Sequence, residues 1–299
     1  MTTVRPSLTL IRFFSVLAGI VLLVFGMTSC ADPNAHADAM AKPAGLQRDV
    51  VAAGPFVLTT FVRITRPDLP LTIYIEGDGL AWVSRTEPSD DPTPHKALGL
   101  SLAVADPGAN VVYLARPCQF TAKSENPSCD VVYWTSKRYG EEVVAAMNQA
   151  VTHYAARTPG QPINLIGYSG GGALAMLIAA RRNDLASLRT IAGNLDQAEV
   201  NRLHKVSAMP DSLNAIDVAR QLNRVPQIHF SGADDTTVPP EIAQRYAAAA
   251  GGNCTRAQIV AGMSHESDWA GQWAALLREV PRLRSMNYSI GHAPTRFSR

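Results

Sequence analysis

The stretch INLIGYSGGG, residues 163–172, decides the fold of this chain. Its apolar start predicts a short buried strand over residues 163–166. The run GALAMLIAARR over residues 172–182 predicts that a helix follows almost at once. A strand that turns this sharply into a helix leaves no room for side chains two residues before or after Ser169, and glycine occupies both positions.

The pattern G-x-S-x-G on such a turn is typical of a serine nucleophile. The turn presents the hydroxyl of Ser169 at the carboxyl edge of the sheet, beside the positive end of the next helix. Glycine-rich turns also bind phosphates, but this turn lacks both G-x-x-x-x-G-K-[ST] and G-x-G-x-x-G. We therefore expect Ser169 to be a nucleophile and the main-chain N–H of Gly170 to donate to an oxyanion.

A serine hydroxyl needs a neighbouring base, and the chain has seven histidines. His265 follows a predicted strand over residues 257–260, in a loop that precedes a helix starting near Asp268. A loop that leaves the carboxyl end of a parallel strand can reach Ser169, so His265 is the predicted base. The other histidines lie in a polar N-terminal segment, a Pro-rich segment, a helix, an irregular segment, a strand and the C-terminal tail: His36, His95, His153, His204, His229 and His292.

The carboxylate that orients the base is expected in FSGADDTTVP, residues 230–239, which continue from another predicted strand. Here the sequence resembles the α/β-hydrolase fold family, whose acid loop often has the pattern G-x-x-D-x-x-V-P. This pattern matches at Gly232, Asp235, Val238 and Pro239. The resemblance implies that Asp235 is the acid, whereas Asp234 suits a turn or a helix N-cap. The chain order Ser169, Asp235, His265 is also that of the family, and the resemblance covers roughly residues 56–282.

A second oxyanion donor comes, in this family, from a glycine loop after an early strand, often H-G-x. The matching segment is a predicted strand over residues 71–75 followed by EGDG, residues 76–79. The segment departs from the family because glutamate replaces the histidine and Asp78 stands at the donor position. The resemblance implies that the N–H of Asp78 donates, provided that its carboxylate faces solvent or pairs with Arg85 or Arg116. An acidic cation loop and a plain tight turn are the alternatives.

Short apolar runs alternate with helical patterns over the rest of the chain. The predicted strands lie at residues 56–64, 71–75, 110–114, 163–166, 188–191, 227–230 and 257–260, and helical patterns cover residues 143–154, 172–182, 240–250 and 269–280. This alternation predicts one α/β domain over residues 49–299, of the α/β-hydrolase type, with a mostly parallel sheet and helices on both faces. The first two strands are expected to form an antiparallel ribbon. A small cap is a candidate within residues 193–224, where Asn194 and Asp196 are candidates for lining a substrate pocket.

Composition excludes several classes of protein. The 299 residues are 46% apolar and 17% charged, with a net charge of +2, which excludes disorder for the bulk of the chain. The sequence has no zinc-finger spacing, basic helix or aromatic-basic stripe, so nucleic acid is not an expected partner. The four cysteines lack paired metal-ligand spacing, and no metal site is predicted.

The N-terminus predicts a secretory signal peptide over residues 1–29. Arg5 and Arg12 precede an uncharged apolar run over residues 13–27, which is short for a bilayer about 30 Å thick. The run ends in MTSC, residues 27–30, which resembles the bacterial lipobox. The resemblance implies an acylated Cys30, a lipid bilayer as partner, and a place in the bacterial envelope facing the periplasm or exterior. Ordinary cleavage near residues 35–37 and an uncleaved anchor are the alternatives, and residues 30–48 are expected to form a flexible tether.

Export changes what the cysteines predict. Cys118 and Cys129 lie in one loop containing proline and asparagine, RPCQFTAKSENPSC, residues 116–129. In an oxidising compartment we expect a disulfide between them, which leaves Cys254 as an unreactive thiol.

Together these patterns predict a serine hydrolase that acts on a small-molecule ester or related acyl compound. Its predicted groups are Ser169, His265 and Asp235, with N–H donors from Asp78 and Gly170, and the chemistry needs no metal or organic cofactor. Peptidase, thioesterase and acyltransferase reactions use the same groups, and a non-catalytic binding module is a further alternative.

Overall fold

One eight-stranded sheet runs through residues 32–281, the part of the chain that the computed structural model describes. Its strands are β1 (Gln47–Ala53), β2 (Phe56–Ile64), β3 (Leu71–Ile75), β4 (Asn110–Leu114), β5 (Ile163–Tyr168), β6 (Leu185–Ile191), β7 (Gln227–Gly232) and β8 (Thr255–Val260). The α-helices are α1 (Pro33–Ala41), α2 (Leu98–Ala105), α3 (Glu141–Ala155), α4 (Gly170–Ala179), α5 (Gln197–His204), α6 (Pro240–Ala250) and α7 (Trp269–Leu277).

The strand order is β1-β2-β4-β3-β5-β6-β7-β8. The six strands from β4 through β3 to β8 are parallel, whereas β2 is antiparallel to β4 and β1 is antiparallel to β2. The prediction of a single α/β domain with a mostly parallel sheet and helices is therefore confirmed. Parallel order brings the carboxyl ends of β3, β5, β7 and β8 to one edge, where the predicted site residues follow them.

The predicted ribbon of residues 56–64 with residues 71–75 is wrong. Leu71–Ile75 is a central strand that pairs in parallel with both β4 and β5. Its side chains are almost all buried, on both faces, as in an interior parallel strand. The ribbon partner of β2 is instead β1, whose segment QRDVVAA alternates too weakly to predict a strand.

The flexible tether expected over residues 30–48 is wrong for residues 33–48. Helix α1 begins after Asp32, whose carboxylate accepts the N–H of Asn34 at 3.0 Å, and Pro33 stands in the first turn. Ala37 and Ala41 are buried against the domain, and Asp38 pairs with Arg48 of β1 at 2.7 Å. The alanines one turn apart supply the small buried face that a composition of small and polar residues conceals.

Alternation along the strands builds a core on each face of the sheet. In β4, Val112 and Leu114 belong to one core, and Val111 and Tyr113 belong to the other. Helices α3, α4 and α6 cover the first face, and α1, α2 and α7 cover the second. Burial of each large apolar side chain contributes roughly 1.5–3 kcal/mol, so the two cores account for a rigid frame.

The candidate cap segment divides into two parts. A 3-10 helix, Ala215–Leu222, buries Ala215, Ala219 and Leu222 in the core beneath α4 and α6. This part belongs to the helical layer of the domain. The cap therefore stays a prediction for the residues before it, which include α5.

The disulfide between Cys118 and Cys129 is present, as predicted, and Cys254 is a buried free thiol. Within residues 32–281, no helix has the length and apolarity needed to cross a membrane. The predicted signal peptide and Cys30 lie outside the described residues.

Candidate active site

Ser169 lies on the turn between β5 and α4. Its φ of 49° and ψ of −120° place it in a backbone conformation that side chains rarely adopt. A Cβ on Gly167 would collide with the carbonyl of Gly171, so the glycine spacing seen in the sequence has a steric cause. The tight turn holds the serine at the carboxyl edge of the sheet.

His265 lies beside Ser169, in the loop between β8 and α7. Its Nε2 is 3.0 Å from Oγ of Ser169. The indole N–H of Trp269 donates to the carbonyls of Ser264 and His265, each at 3.1 Å, and the hydroxyl of Tyr168 donates to the carbonyl of His265 at 3.2 Å. The loop backbone is thus tied to α7 and to the residue before the serine, which fixes the imidazole.

Asp235 lies behind His265, in the loop after β7. Its Oδ2 is 2.8 Å from Nδ1 of His265, and its Oδ1 accepts the N–H groups of Thr237 and Val238 at 2.9 and 2.8 Å. The carboxylate is fully buried, with 0% side-chain exposure. Because a carboxylate only accepts, Nδ1 carries the proton and Nε2 is left to accept from the serine. Asp234 is exposed and takes no part in this arrangement.

The structure therefore brings Ser169, His265 and Asp235 together in the predicted pairs. Two other histidines have different surroundings. His204 is exposed and bonds through Nε2 to the carbonyl of Thr237 at 2.8 Å. His229 is fully buried beside Tyr246, and burial lowers the pKa of its imidazole to about 3.

The EGDG loop, residues 76–79, lies directly beside the serine. A Cβ on Gly77 would be 3.2 Å from Cβ of Ser169. The main-chain N–H groups of Asp78 and Gly170 have no acceptor among the described residues. Both N–H groups predicted as oxyanion donors are therefore free to donate.

Glu76 anchors this loop from inside the protein. Its buried carboxylate accepts the N–H groups of Gly77, Gly99 and Leu100 at 2.9, 3.0 and 3.2 Å, and the hydroxyl of Tyr113 at 3.0 Å. Burial raises the pKa of this carboxyl, and the four hydrogen bonds oppose that shift. Sequence reasoning missed this role, although an acid directly after a buried apolar strand was a visible signal.

The carboxylate of Asp78 is paired, as the predicted role of its N–H as an oxyanion donor requires. Its carboxylate binds Arg116, one of the two predicted partners, and Arg138, which sequence reasoning missed, at 2.6 Å. No contact of Asp78 with Arg85 is found in the described part of the chain.

Between residues 32 and 281, no three His, Cys, Asp or Glu side chains are arranged to hold a metal ion.

The loop after β6 contacts the serine on another side. The N–H of Asn194 donates to the carbonyl of Ser169 at 2.9 Å, and the side-chain oxygen of Asn194 is buried and has no hydrogen-bond partner within residues 32–281. Asp196 instead caps α5 and pairs with Arg245 at 3.0 Å. Asn194 is therefore placed next to the site, and the carboxylate of Asp196 is engaged within the fold.

Solved structures that share this fold are α/β serine hydrolases. A putative lipase from Acinetobacter baumannii is 16% identical, with a TM-score of 0.54 over 84% of this chain and 97% of that one. Est1E from Butyrivibrio proteoclasticus is 14% identical, with a TM-score of 0.53 over 78% and 96%. A serine hydrolase without a lid from Xanthomonas campestris is 16% identical, with a TM-score of 0.50 over 79% and 96%.

These likenesses establish the α/β-hydrolase fold. No protein-family model matches the sequence, and none of the curated proteins matches it.

Proposed function

We propose that this chain is a serine hydrolase that cleaves a carboxylic ester or related acyl compound. One observation carries the proposal: a continuous line of hydrogen bonds joins Ser169 Oγ to His265 Nε2 at 3.0 Å and His265 Nδ1 to Asp235 at 2.8 Å. This is the geometry in which an imidazole removes a proton from a serine hydroxyl.

In the proposed reaction, Ser169 attacks the acyl carbonyl while His265 takes its proton. Asp235 keeps the imidazole oriented and stabilises the imidazolium that forms. The N–H groups of Asp78 and Gly170 hold the oxyanion of the tetrahedral intermediate. His265 then protonates the leaving group, and a water molecule activated by the same imidazole hydrolyses the acyl-enzyme. Apart from the substrate and this water molecule, the proposed steps use only groups of the protein.

One of the fold neighbours, the putative lipase from Acinetobacter baumannii, is named for ester chemistry, which favours esters over other acyl substrates. Peptidase, thioesterase and acyltransferase activities remain the alternatives because the same groups serve all of them. A non-catalytic binding module is the alternative from a different class.

A substrate panel separates these functions. We expect hydrolysis of p-nitrophenyl acyl esters at rates above those for matched anilides, and loss of at least about 1,000-fold in the variant Ser169→Ala. Preference for thioesters or anilides would reassign the reaction within the same fold. An ester activity that persists in Ser169→Ala would contradict the proposal.

We also propose that the protein is a lipoprotein of the bacterial envelope, held to a bilayer by acyl chains on Cys30. Only Ala31 separates that cysteine from Asp32, which caps the docked helix α1. At about 3.5 Å per residue, the domain would then lie directly against the membrane. Mass spectrometry of the mature N-terminus tests this: a diacylated Cys30 supports it, and an unmodified terminus beyond Cys30 contradicts it.

We propose, finally, that residues 197–213 form a small cap over the site. The last residue of α5, His204, bonds this segment to the carbonyl of Thr237 in the acid loop. At the end of the segment, the N–H of Leu213 donates to the carbonyl of Tyr139 at 3.0 Å. Leu203, Val206 and Leu213 are exposed apolar side chains on it. Val206→Asp should raise KM for long-chain esters more than for acetate esters, and an equal change for both would count against a cap.

A further inference from the structure

An acidic side chain lies next to the proposed oxyanion hole. A Cβ built on Gly170 would collide with Oδ1 of Asp78, so this carboxylate lies against the residue that supplies one of the proposed donors. Two negative charges a few ångströms apart in a partly buried site repel each other strongly. An unpaired Asp78 carboxylate would therefore oppose the formation of a tetrahedral oxyanion on the same loop.

Two guanidinium groups face this carboxylate. Nη1 of Arg116 binds Oδ1, Nη1 of Arg138 binds Oδ2 at 2.6 Å, and the hydroxyl of Tyr139 is 3.3 Å from Oδ1. The side chains of Arg116 and Arg138 are only 4% and 16% exposed, so solvent screens the interaction little. Burial alone raises the pKa of Asp78, but the charges of Arg138 and Arg116 outweigh it and hold that pKa well below its usual range.

Asp78, Arg116 and Arg138, which we call the Asp78 cluster, carry two positive charges and one negative charge. The cluster is held from several sides. Nη2 of Arg116 donates to the carbonyl of Arg138 at 2.7 Å, and Nε of Arg138 donates to the carbonyl of Thr135 at 2.9 Å. The guanidinium of Arg116 also lies 5.3 Å from the ring centre of Tyr139. The charges are therefore fixed before any substrate arrives, which is the condition for electrostatic preorganisation.

The same segment also holds the main chain of the oxyanion loop. Gln119, three residues after Arg116, donates from Nε2 to the carbonyl of Gly77 at 3.0 Å, and its Oε1 accepts the N–H of Arg116 at 3.0 Å. Cys118, which forms a disulfide with Cys129, lies between these two residues in sequence. The glutamine that orients Gly77 thus belongs to the covalently closed loop, and the arginine that neutralises Asp78 lies just before it.

We propose that Arg116 and Arg138 are positioning residues of the oxyanion hole. They hold the Asp78 loop beside Ser169 and change the local charge from negative to positive, so that an oxyanion forms there more readily. This inference rests on the proposed hydrolase function, and it explains how an acidic residue is accommodated at a donor position.

The test uses the full-length protein and a short p-nitrophenyl ester. Arg138→Gln removes the more exposed positive charge, and we expect kcat to fall about 10- to 100-fold with KM within about threefold, because the oxyanion exists only along the reaction. The double variant Asp78→Asn with Arg138→Gln also removes the carboxylate, which in Arg138→Gln has lost one of its two arginine partners. We expect its kcat to exceed that of Arg138→Gln by about fivefold or more. A purely structural role predicts the reverse, since the double variant has a still looser loop.

Two further variants control for folding. Arg182→Gln breaks another arginine–aspartate pair, with Asp184 at 2.6 Å, in which the arginine side chain is only 8% exposed, and this variant is expected to keep the wild-type kcat. Arg138→Lys keeps the positive charge and is expected to retain at least about a third of the wild-type kcat. If Arg138→Gln fails to fold, Arg138→Lys is the test instead. A loss of kcat above about 30-fold in Arg138→Lys overturns the electrostatic role.

A wild-type kcat in Arg138→Gln, or a double variant no faster than Arg138→Gln, also overturns the inference. Activity that survives in Ser169→Ala overturns the proposed function instead, so the two failures are distinguishable.

Discussion

Oδ2 of Asp235 lies 2.8 Å from Nδ1 of His265. The residue before Asp235 in the sequence, Asp234, is instead exposed to solvent. The difference follows from the turn after β7, in which Oδ1 of Asp235 accepts the N–H groups of Thr237 and Val238. Two adjacent aspartates thus have opposite environments, and they form a matched pair for mutation.

Asp235→Asn should lower kcat for ester hydrolysis by about 10,000-fold, because an amide no longer fixes the Nδ1–H tautomer of His265. Asp234→Asn, which changes the same chemistry one residue away, should stay within about twofold of wild type. Steady-state kinetics of the two variants checks this, and equal losses would mean that the acid is misassigned.

Glu76→Gln should destabilise the protein by about 1–3 kcal/mol and lower kcat. Glutamine has one acceptor oxygen where the carboxylate accepts from Gly77, Gly99, Leu100 and Tyr113, so buried donors lose their partners. Urea unfolding measures the loss of stability. Glu87→Gln, an exposed glutamate, is the control and should change the free energy of unfolding by less than about 0.5 kcal/mol.

Removal of the disulfide should cost about 2–3 kcal/mol in unfolding free energy, given the 11-residue separation of Cys118 and Cys129. It should also lower kcat, because Gln119 lies at the start of that loop and Arg116 lies just before it. Dithiothreitol should destabilise the wild type and leave the double variant Cys118→Ala, Cys129→Ala unchanged. A wild type that is equally stable after its disulfide is shown to be reduced would argue against this role.

Stability should fall as the pH drops below about 6.5, in part because of His229. Burial lowers its pKa to about 3, so the imidazole stays neutral in the folded protein while it takes up a proton in the unfolded chain. At a pH below the ordinary pKa of histidine, the unfolded state therefore binds more protons than the folded state. Stability is lost with falling pH in this window, by about 2 kcal/mol between pH 7 and pH 5 from this group.

Urea unfolding of His229→Asn at pH 7, 6 and 5 checks that contribution. The variant is expected to be less stable at every pH but to show a shallower dependence on pH than the wild type. His204→Asn, which removes an exposed histidine, should keep the wild-type slope. An unchanged slope in His229→Asn would show that other groups cause the pH dependence.

The parts of the fold that followed from the sequence have local causes. The turn at Ser169 and the acid loop at Asp235 each need particular residues within a few positions, so a short pattern predicts them. The disulfide likewise joins two cysteines in one loop. Helix α1 also had local signals, Asp32 as N-cap and Pro33 after it, but the composition of small and polar residues concealed them.

The parts that did not follow depend on contacts between distant segments. Arg138 binds Asp78 although 60 residues of sequence separate them, and no pattern around either residue predicts this pair. The pairing of β2 with β1 rather than with Leu71–Ile75 was decided by β4, which inserts between β2 and β3. Contacts of this kind depend on the packing of the whole sheet, and a single stretch of sequence carries no information about that packing.

Peptide mapping by mass spectrometry after reaction with a fluorophosphonate tests directly whether Ser169 is the nucleophile. We expect one stoichiometric adduct, on the peptide that contains Ser169, and none in Ser169→Ala or in protein with the site blocked beforehand by an ester-like inhibitor. An adduct on another serine, or a folded wild type that takes up no label, would show that Ser169 is not the nucleophile.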